Sequence, residues 1–365
     1  MHPKITRLYV HNYRCFVNFE LRPDGRSLLV GYNGAGKSSI FDVLSALQDL
    51  VIWNKDAAEA FPRETLSAFV GSREQRFELD IVAGEHTYRY SLRIEHDERR
   101  REARIVHEGV SWDGNSLYAF SDGEVALGGR PSFSFAPRRS FLASLQPDDA
   151  KEDLLASFIA FIQGIWVLRF NPARMTGAAT DDYVFLARDA SNFGSWCRHL
   201  LSEAPESVQH AREVLKEVMP GFESIRAQSV GRGKVLVVKQ NQPGGPGYEI
   251  DFDALSDGQK VLIALYLILH GVAPRATALC LDEPDNFVSI REIQPFLVDL
   301  ARIGEGTGLQ ALLISHSAEV IDFIGAEDAI LLDRPGGAPP RVGALSPDKS
   351  LRLSQQMARG WHVAA

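Results

Sequence analysis

The stretch Gly31-Tyr32-Asn33-Gly34-Ala35-Gly36-Lys37-Ser38 carries the clearest chemistry in this chain. It has the spacing GxxxxGK[ST], in which glycines let backbone N–H groups close around phosphates, a lysine neutralises β/γ charge and a hydroxyl can ligate Mg²⁺. An apolar run, Arg26 to Val30, precedes it, and an apolar-periodic run, Ser38 to Leu50, follows; these are the strand and helix that such a loop requires. A glycine-rich turn that binds nothing has no need of the Lys37-Ser38 pair, so ATP with Mg²⁺ is the expected ligand, contacted by Asn33, Gly34, Ala35, Gly36, Lys37, Ser38 and Ser39.

Three further groups complete a candidate site. In Leu279-Cys280-Leu281-Asp282-Glu283 an apolar strand ends in two acids, Asp282 placed to hold the Mg²⁺ shell with Ser38, and Glu283 to orient or deprotonate a water. Leu255-Ser256-Asp257-Gly258-Gln259 opens an apolar helix and offers a hydroxyl and N–H groups to an anion, although a plain N-cap accounts for the pentapeptide equally well. His316, just past another apolar strand, is suited to contact a γ-phosphate. Alone, a histidine at a strand end is more often structural.

Together and in this order, the four elements resemble ABC-type ATPase heads, the group that includes SMC proteins, RecF and OLD-family proteins. The match covers about residues 4–50 and 250–335 and the middle only loosely; DEPDNFVSIREIQPFL, NYRCF and SDGQ look most like the stand-alone ATPases of the OLD/RecF-like branch. The resemblance implies a P-loop α/β fold, and a nucleotide sandwiched between the phosphate loop of one protomer and Ser256, Gly258 and Gln259 of another. It also implies an ATP-held homodimer released by hydrolysis. Asp285 and Asn286 match the loop that meets its counterpart across such a dimer, Arg14 a basic residue near the phosphates, and His316 the switch histidine. Asp257 replaces the commoner second glycine. The glutamine that bridges Mg²⁺ to the helical lobe is Gln146 or Gln163, with Gln146 preferred.

The elements that must position these residues are legible in outline. Lys4 to Val10 and Arg26 to Val30 read as strands, and alternation between Arg76 and Val125, turning at Gly84 and at Asp113-Gly114, reads as an antiparallel meander. Helical spacing runs over Glu152 to Leu168, although WVLRF at its end is strand-like, and again over Asn192 to Leu201 and Glu206 to Val218, which implies a helical lobe. A hairpin over Lys234 to Lys239 and Tyr248 to Phe252 leads into a helix, Ser256 to His270. Strands at Ala278, Gln310 and Ala329 then alternate with helices from Ser289 and Ala318, the mark of a mainly parallel core sheet with helices on both faces. A last helix spans Leu351 to Arg359. The expected division is 1–75 and 231–335 for the ATPase core, 76–145 for an antiparallel β subdomain, 146–230 for the helical lobe and 336–365 for a tail.

Composition narrows the setting. A chain of 365 residues with 45% hydrophobic side chains buries a large core, and a formal charge of -8 argues against coating nucleic acid by overall charge. The cluster Arg99, Arg100, Arg101 and Arg104 is broken by Glu95, Asp97, Glu98 and Glu102, so a solvated hairpin end is the better reading and nucleic acid stays open. Cys15, Cys197 and Cys280 have neither disulfide nor zinc spacing, and the longest apolar run, Val261 to Leu269, is about half of the ~20 residues that span a bilayer. The expectation is a cytoplasmic ATPase without a nuclease domain of its own, a conformational switch in DNA maintenance or phage defence whose effector, such as a nuclease, lies on another chain. A transporter subunit and a scaffold with little turnover are the alternatives.

Overall fold

Residues of alternating polarity become antiparallel sheet, and the apolar runs near the chemistry become buried strands. The computed structural model describes residues 2–97, 102–128, 133–145, 150–231, 233–242, 244–343, 345 and 351–358. The chain begins with β1 (Lys4–His11), β2 (Phe19–Leu21), β3 (Arg26–Val30), α1 (Lys37–Val51) and a short α2 (Ala57–Ala60). Next come β4 (Glu74–Ala83), β5 (His86–Asp97), β6 (Glu102–Trp112), β7 (Asn115–Ser121), β8 (Glu124–Leu127), β9 (Phe133–Ser134), α3 (Ala150–Gln163) and β10 (Ile165–Leu168). They are followed by β11 (Ala178–Ala179), α4 (Phe193–Glu203), α5 (Pro205–Val218), β12 (Phe222–Val230), β13 (Gly233–Gln240), β14 (Tyr248–Asp251) and α6 (Asp257–Gly271). The last elements are β15 (Ala278–Asp282), α7 (Ile290–Thr307), β16 (Gln310–Ile314), α8 (Ala318–Ile324), β17 (Ala329–Asp333), β18 (Arg341–Gly343) and α9 (Leu353–Ala358). Two compact units result, one of residues 1–166 with 324–365 and one of residues 167–323.

In the first unit, strands in the order β2-β1-β4-β5-β6-β7-β8-β9 form an antiparallel sheet. Phe77, Leu79 and Ile81 of β4 lie opposite Leu92, Tyr90 and Tyr88 of β5, and all are buried; such cross-strand apolar pairs are the unit of sheet stability. Asp113 and Gly114 both take positive φ, 48° and 81°, which is what a two-residue hairpin loop demands. The same unit pairs β3 in parallel with β17, Leu29 opposite Ile330, and β17 with β18 in antiparallel. Helix α1 buries Ile40, Phe41, Val43, Leu44, Leu47 and Leu50.

Helix α3 stops at Gln163 instead of continuing to Leu168 as its spacing suggested. Gly164 interrupts it, and the β-branched and aromatic run Ile165-Trp166-Val167 continues as β10. Gln48 of α1 fixes that junction, its Nε2 donating to Ile162 O at 2.8 Å and Ile165 O at 2.5 Å. Of the basic cluster, Arg99, Arg100 and Arg101 lie outside the described residues, while Arg104 Nε donates to Glu95 Oε2 at 2.9 Å.

In the second unit, β15 and β16 pair in parallel from Ala278 opposite Gln310 to Asp282 opposite Ile314, and every residue of both strands is buried. Helix α6 is buried without interruption from Lys260 to Leu269; a helix apolar on all sides is a core helix, and each buried Leu, Ile or Val is worth roughly 1.5–3 kcal/mol. A smaller sheet orders β11-β13-β12, with β14 also on β13. Strand β12 was not anticipated. The region read as a helical lobe therefore holds β10, β11 and β12 beside α3, α4 and α5, and the polar residues of β12 alternate too weakly to announce it. Among the described residues no helix is long and apolar enough to cross a membrane.

Candidate functional site

The phosphate loop belongs to the first unit, between β3 and α1. Gly31 has φ 146°, and a Cβ there would lie 2.3 Å from Leu332 O, so the loop passes too close to β17 for any other residue. Gly36, at φ 96°, would bring a Cβ to 2.9 Å from Cys15 Sγ and the Phe16 ring, and Gly34 has φ 80°. Lys37 is 6% exposed, and its Nζ donates to Gly31 O at 2.7 Å and Tyr32 O at 3.2 Å. A buried ammonium is thus held on its own loop's carbonyls. Asn33 is exposed, Ala35 is buried with its N–H donating to Tyr32 O, and Ser38 and Ser39 are half-buried in the first turn of α1. The first N–H groups of a helix have no acceptor within it, so this end is suited to an anion.

Two arginines flank the loop. Arg14, at φ 51°, donates to Ser39 Oγ at 3.4 Å and pairs with Asp42, which ties it to the first turns of α1. Arg334, just after β17, donates from Nη1 to Gly34 O at 2.8 Å and stands 5.7 Å from the Phe69 ring centroid. Sequence reasoning missed Arg334, because no motif joins it to the loop.

The acid pair belongs to the second unit. Asp282 ends β15 with its side chain fully buried. Glu283 takes φ 54°, a left-handed conformation that costs a non-glycine residue about 1 kcal/mol or more, and its N–H donates to Ile314 O at 2.9 Å. Its carboxylate is held from two sides: Asn286 Nδ2 donates to Oε2 at 2.7 Å and His316 Nε2 lies 3.5 Å from Oε1. Asp285 accepts from Ser315 Oγ at 2.9 Å, and burial pushes its carboxyl above the usual range. Arg169 and Arg188, far away in sequence and not anticipated, each come to 3.9 Å from Asp282 Oδ2.

Ser256 is the N-cap of α6 in a full capping box: Gln259 N–H donates to Ser256 Oγ at 3.3 Å, and Ser256 N–H donates to Gln259 Oε1 at 3.1 Å. Ser256 is exposed, and its Oγ also donates to Gln259 Oε1 at 3.2 Å. A Cβ at Gly258 would meet Phe287 O at 2.5 Å, so α6 begins packed on the loop that carries Asp285 and Asn286. Gln146 lies outside the described residues, and Gln163 is exposed at the end of α3. Thus Glu283, Asn286 and His316 are brought together in one unit, and in the other Lys37 is joined to Gly31, and Arg14 to Ser39 and Asp42.

A family model described as "AAA domain, putative AbiEii toxin, Type IV TA system" matches residues 27–322. The chain is similar to the crystal structure of an SMC head bound to the C-terminal winged-helix domain of ScpA, with TM-score 0.57 and 16% identity over 97% of this chain and 99% of that one. It is also similar to an SMC head with an extended coiled coil bound to the C-terminal domain of ScpA from Pyrococcus furiosus, with TM-score 0.54 and 14% identity over 98% of each chain. No curated protein matches. At such identities the likeness concerns the fold, which is the mixed α/β fold of ABC-type ATPase heads of the SMC group.

Proposed function

The chain belongs to this AAA-domain family, described as a putative AbiEii toxin of a type IV toxin–antitoxin system, and from that premise we propose that it is a Mg²⁺-dependent ATP hydrolase acting as an ATP-driven dimerisation switch. The observation that carries the reading is the phosphate loop, in which Lys37 is held on the carbonyls of Gly31 and Tyr32 while the loop excludes any Cβ at Gly31 and Gly36. A triphosphate takes the place of those carbonyls as partner of the amine.

The buried carboxylate of Asp282 at a strand end supports a magnesium ion, which takes one or two protein oxygens and completes its shell with phosphate and water. The proposed donors are Asp282 and Ser38, with Gln146 as the proposed bridging residue. When bound, the ion supplies charge stabilisation at the phosphate oxygens. Glu283, oriented by Asn286 and His316, positions the attacking water and accepts its proton, while Lys37 and Arg14 offset charge on the phosphates.

Ser256, Gly258 and Gln259 act on the nucleotide of a second protomer, and Asp285 and Asn286 meet their counterparts across the dimer. ATP holds the pair together and hydrolysis releases it. The SMC-type head fold supports this reading, and the solved heads bound to ScpA domains support a separate partner chain, here an effector such as a nuclease. The toxin–antitoxin setting in the family description favours cellular defence, including defence against phage, and ATP as substrate favours the cytoplasm. The test compares turnover of the wild type, Lys37→Ala and Glu283→Gln. Loss of roughly 100-fold or more is expected in both variants, with Glu283→Gln accumulating an ATP-dependent dimer in light scattering. Equal, near-zero turnover in all three would sink the enzyme reading.

A further inference from the structure

The loops that follow β15 and β16 are tied to each other twice. The first tie is made by backbone, Glu283 N–H donating to Ile314 O at 2.9 Å, just past the ladder pair of Asp282 and Ile314. The second is made by side chains: Ser315 Oγ donates to Asp285 Oδ2 at 2.9 Å and accepts from Ser317 N–H at 3.0 Å. Ser315 is 2% exposed. A buried hydroxyl that accepts on one side and donates on the other has its single proton committed to one direction. His316 lies between the two serines, so the backbone on both sides of it is fixed through that hydroxyl.

The facing loop is folded over Glu283 by its own backbone, with Asn286 N–H donating to Glu283 O and Val288 N–H to Asp285 O, each at 3.3 Å. Glu283 sits at φ 54°, a conformation that persists only where its surroundings enforce it. Asp285 is poorly explained by stability alone. Its Oδ1 is buried without a hydrogen-bond partner among the described residues, and an unmatched buried oxygen is a cost to the fold. What the acid does hold is Ser315. We propose that Asp285 and Ser315 are positioning residues for hydrolysis: their bond sets the His316 ring 3.5 Å from Glu283 Oε1 while Asn286 holds Oε2, so the carboxylate keeps one orientation toward the water. This deepens the hydrolysis reading above and rests on it. Neither side chain has to touch nucleotide, since a misplacement of ~1 Å in a group that acts on the reaction is enough to cost much of the rate.

The test measures steady-state ATP turnover of the full chain in wild type, Ser315→Ala, Asp285→Ala and Asp285→Asn, and in His316→Ala alone and combined with Ser315→Ala. Ser315→Ala removes one oxygen atom, and it and Asp285→Ala are expected to lose roughly tenfold or more in kcat while KM stays within about twofold. Asp285→Asn, whose amide oxygen can accept from Ser315, is expected to recover most of the loss. Once His316 is gone, removing the Ser315 hydroxyl is expected to cost less than about threefold more, because residues that act as a unit are not additive. Wild-type kcat in Ser315→Ala, additive losses in the double variant, or a KM that rises as kcat falls overturns the proposal. A second readout needs no turnover: the His316 ring signals in NMR spectra of the nucleotide-free chain, assigned by their absence from His316→Ala. They are expected to move on Glu283→Gln in the wild-type background and to stay in place when Ser315→Ala is also present; equal movement in both overturns the proposal. A wild type without turnover overturns the hydrolysis reading instead, and the ring signals still decide whether Ser315 sets the contact.

Discussion

Ser256 caps α6 through Gln259 and is an exposed residue, and the proposed function gives it a second task at a partner's nucleotide. Substitutions separate the two. Ser256→Ala loses the cap and is expected to lower unfolding free energy by about 1 kcal/mol along with ATP-driven dimerisation. Ser256→Asp keeps a good cap but presents a carboxylate to the partner's nucleotide; denaturant midpoints should match wild type while light scattering shows no dimer, and a normal dimer would rule out the phosphate role. Gly258→Ala differs, because the clash with Phe287 O arises within one chain. A thermal melt without nucleotide should reveal a loss of roughly 1–3 kcal/mol. The motif residues were legible because phosphate chemistry demands fixed residue types at short spacing. Arg334, Arg169 and Arg188 were not: Arg334 reaches Gly34 across 300 positions, and no local pattern encodes such a meeting.

Elements with strong periodicity were readable for a physical reason: α6 is apolar on every side and the β4–β5 hairpin alternates through its whole length. Strand β12 and the end of α3 were harder, the first because its polar residues hide the alternation and the second because Gly164 interrupts a run whose spacing still reads as helix. Packing between α5 and α6 carries a pH dependence. Burial, with His210 nearby, pushes His270 of α6 down to about 4 from its ordinary 6.5. The native state therefore favours the neutral ring, so this contribution is full above pH 6.5 and is lost as the pH falls through 6.5 toward 4. Urea midpoints measured between pH 7.5 and 5 (roughly the working range around this histidine's ordinary pKa) should fall less steeply in His270→Phe than in wild type. Parallel slopes would remove His270 as the cause.

At the scale of the molecule, the unit holding the phosphate loop is discontinuous, built from residues 1–166 and 324–365. Strand β3 has β17 as its parallel partner, Arg26 Nε donates to Asp328 Oδ2 at 2.7 Å, and Leu332 O closes on Gly31. This pairing was the least legible feature, since periodicity marks a strand without naming its neighbour. A chain ended after residue 323 lacks β17 and is expected to bind no ATP analogue in a fluorescence titration, although α1 and the whole loop sequence are present; wild-type affinity would show that β17 does not shape the loop. The same pairing governs biosynthesis. On a ribosome adding ~5–20 residues per second, the loop emerges about 300 residues before the strand that completes it, a delay of roughly 15–60 s. Through that interval a nascent chain carries the loop without the strand that pairs with β3, and a product terminated before residue 329 never gains it.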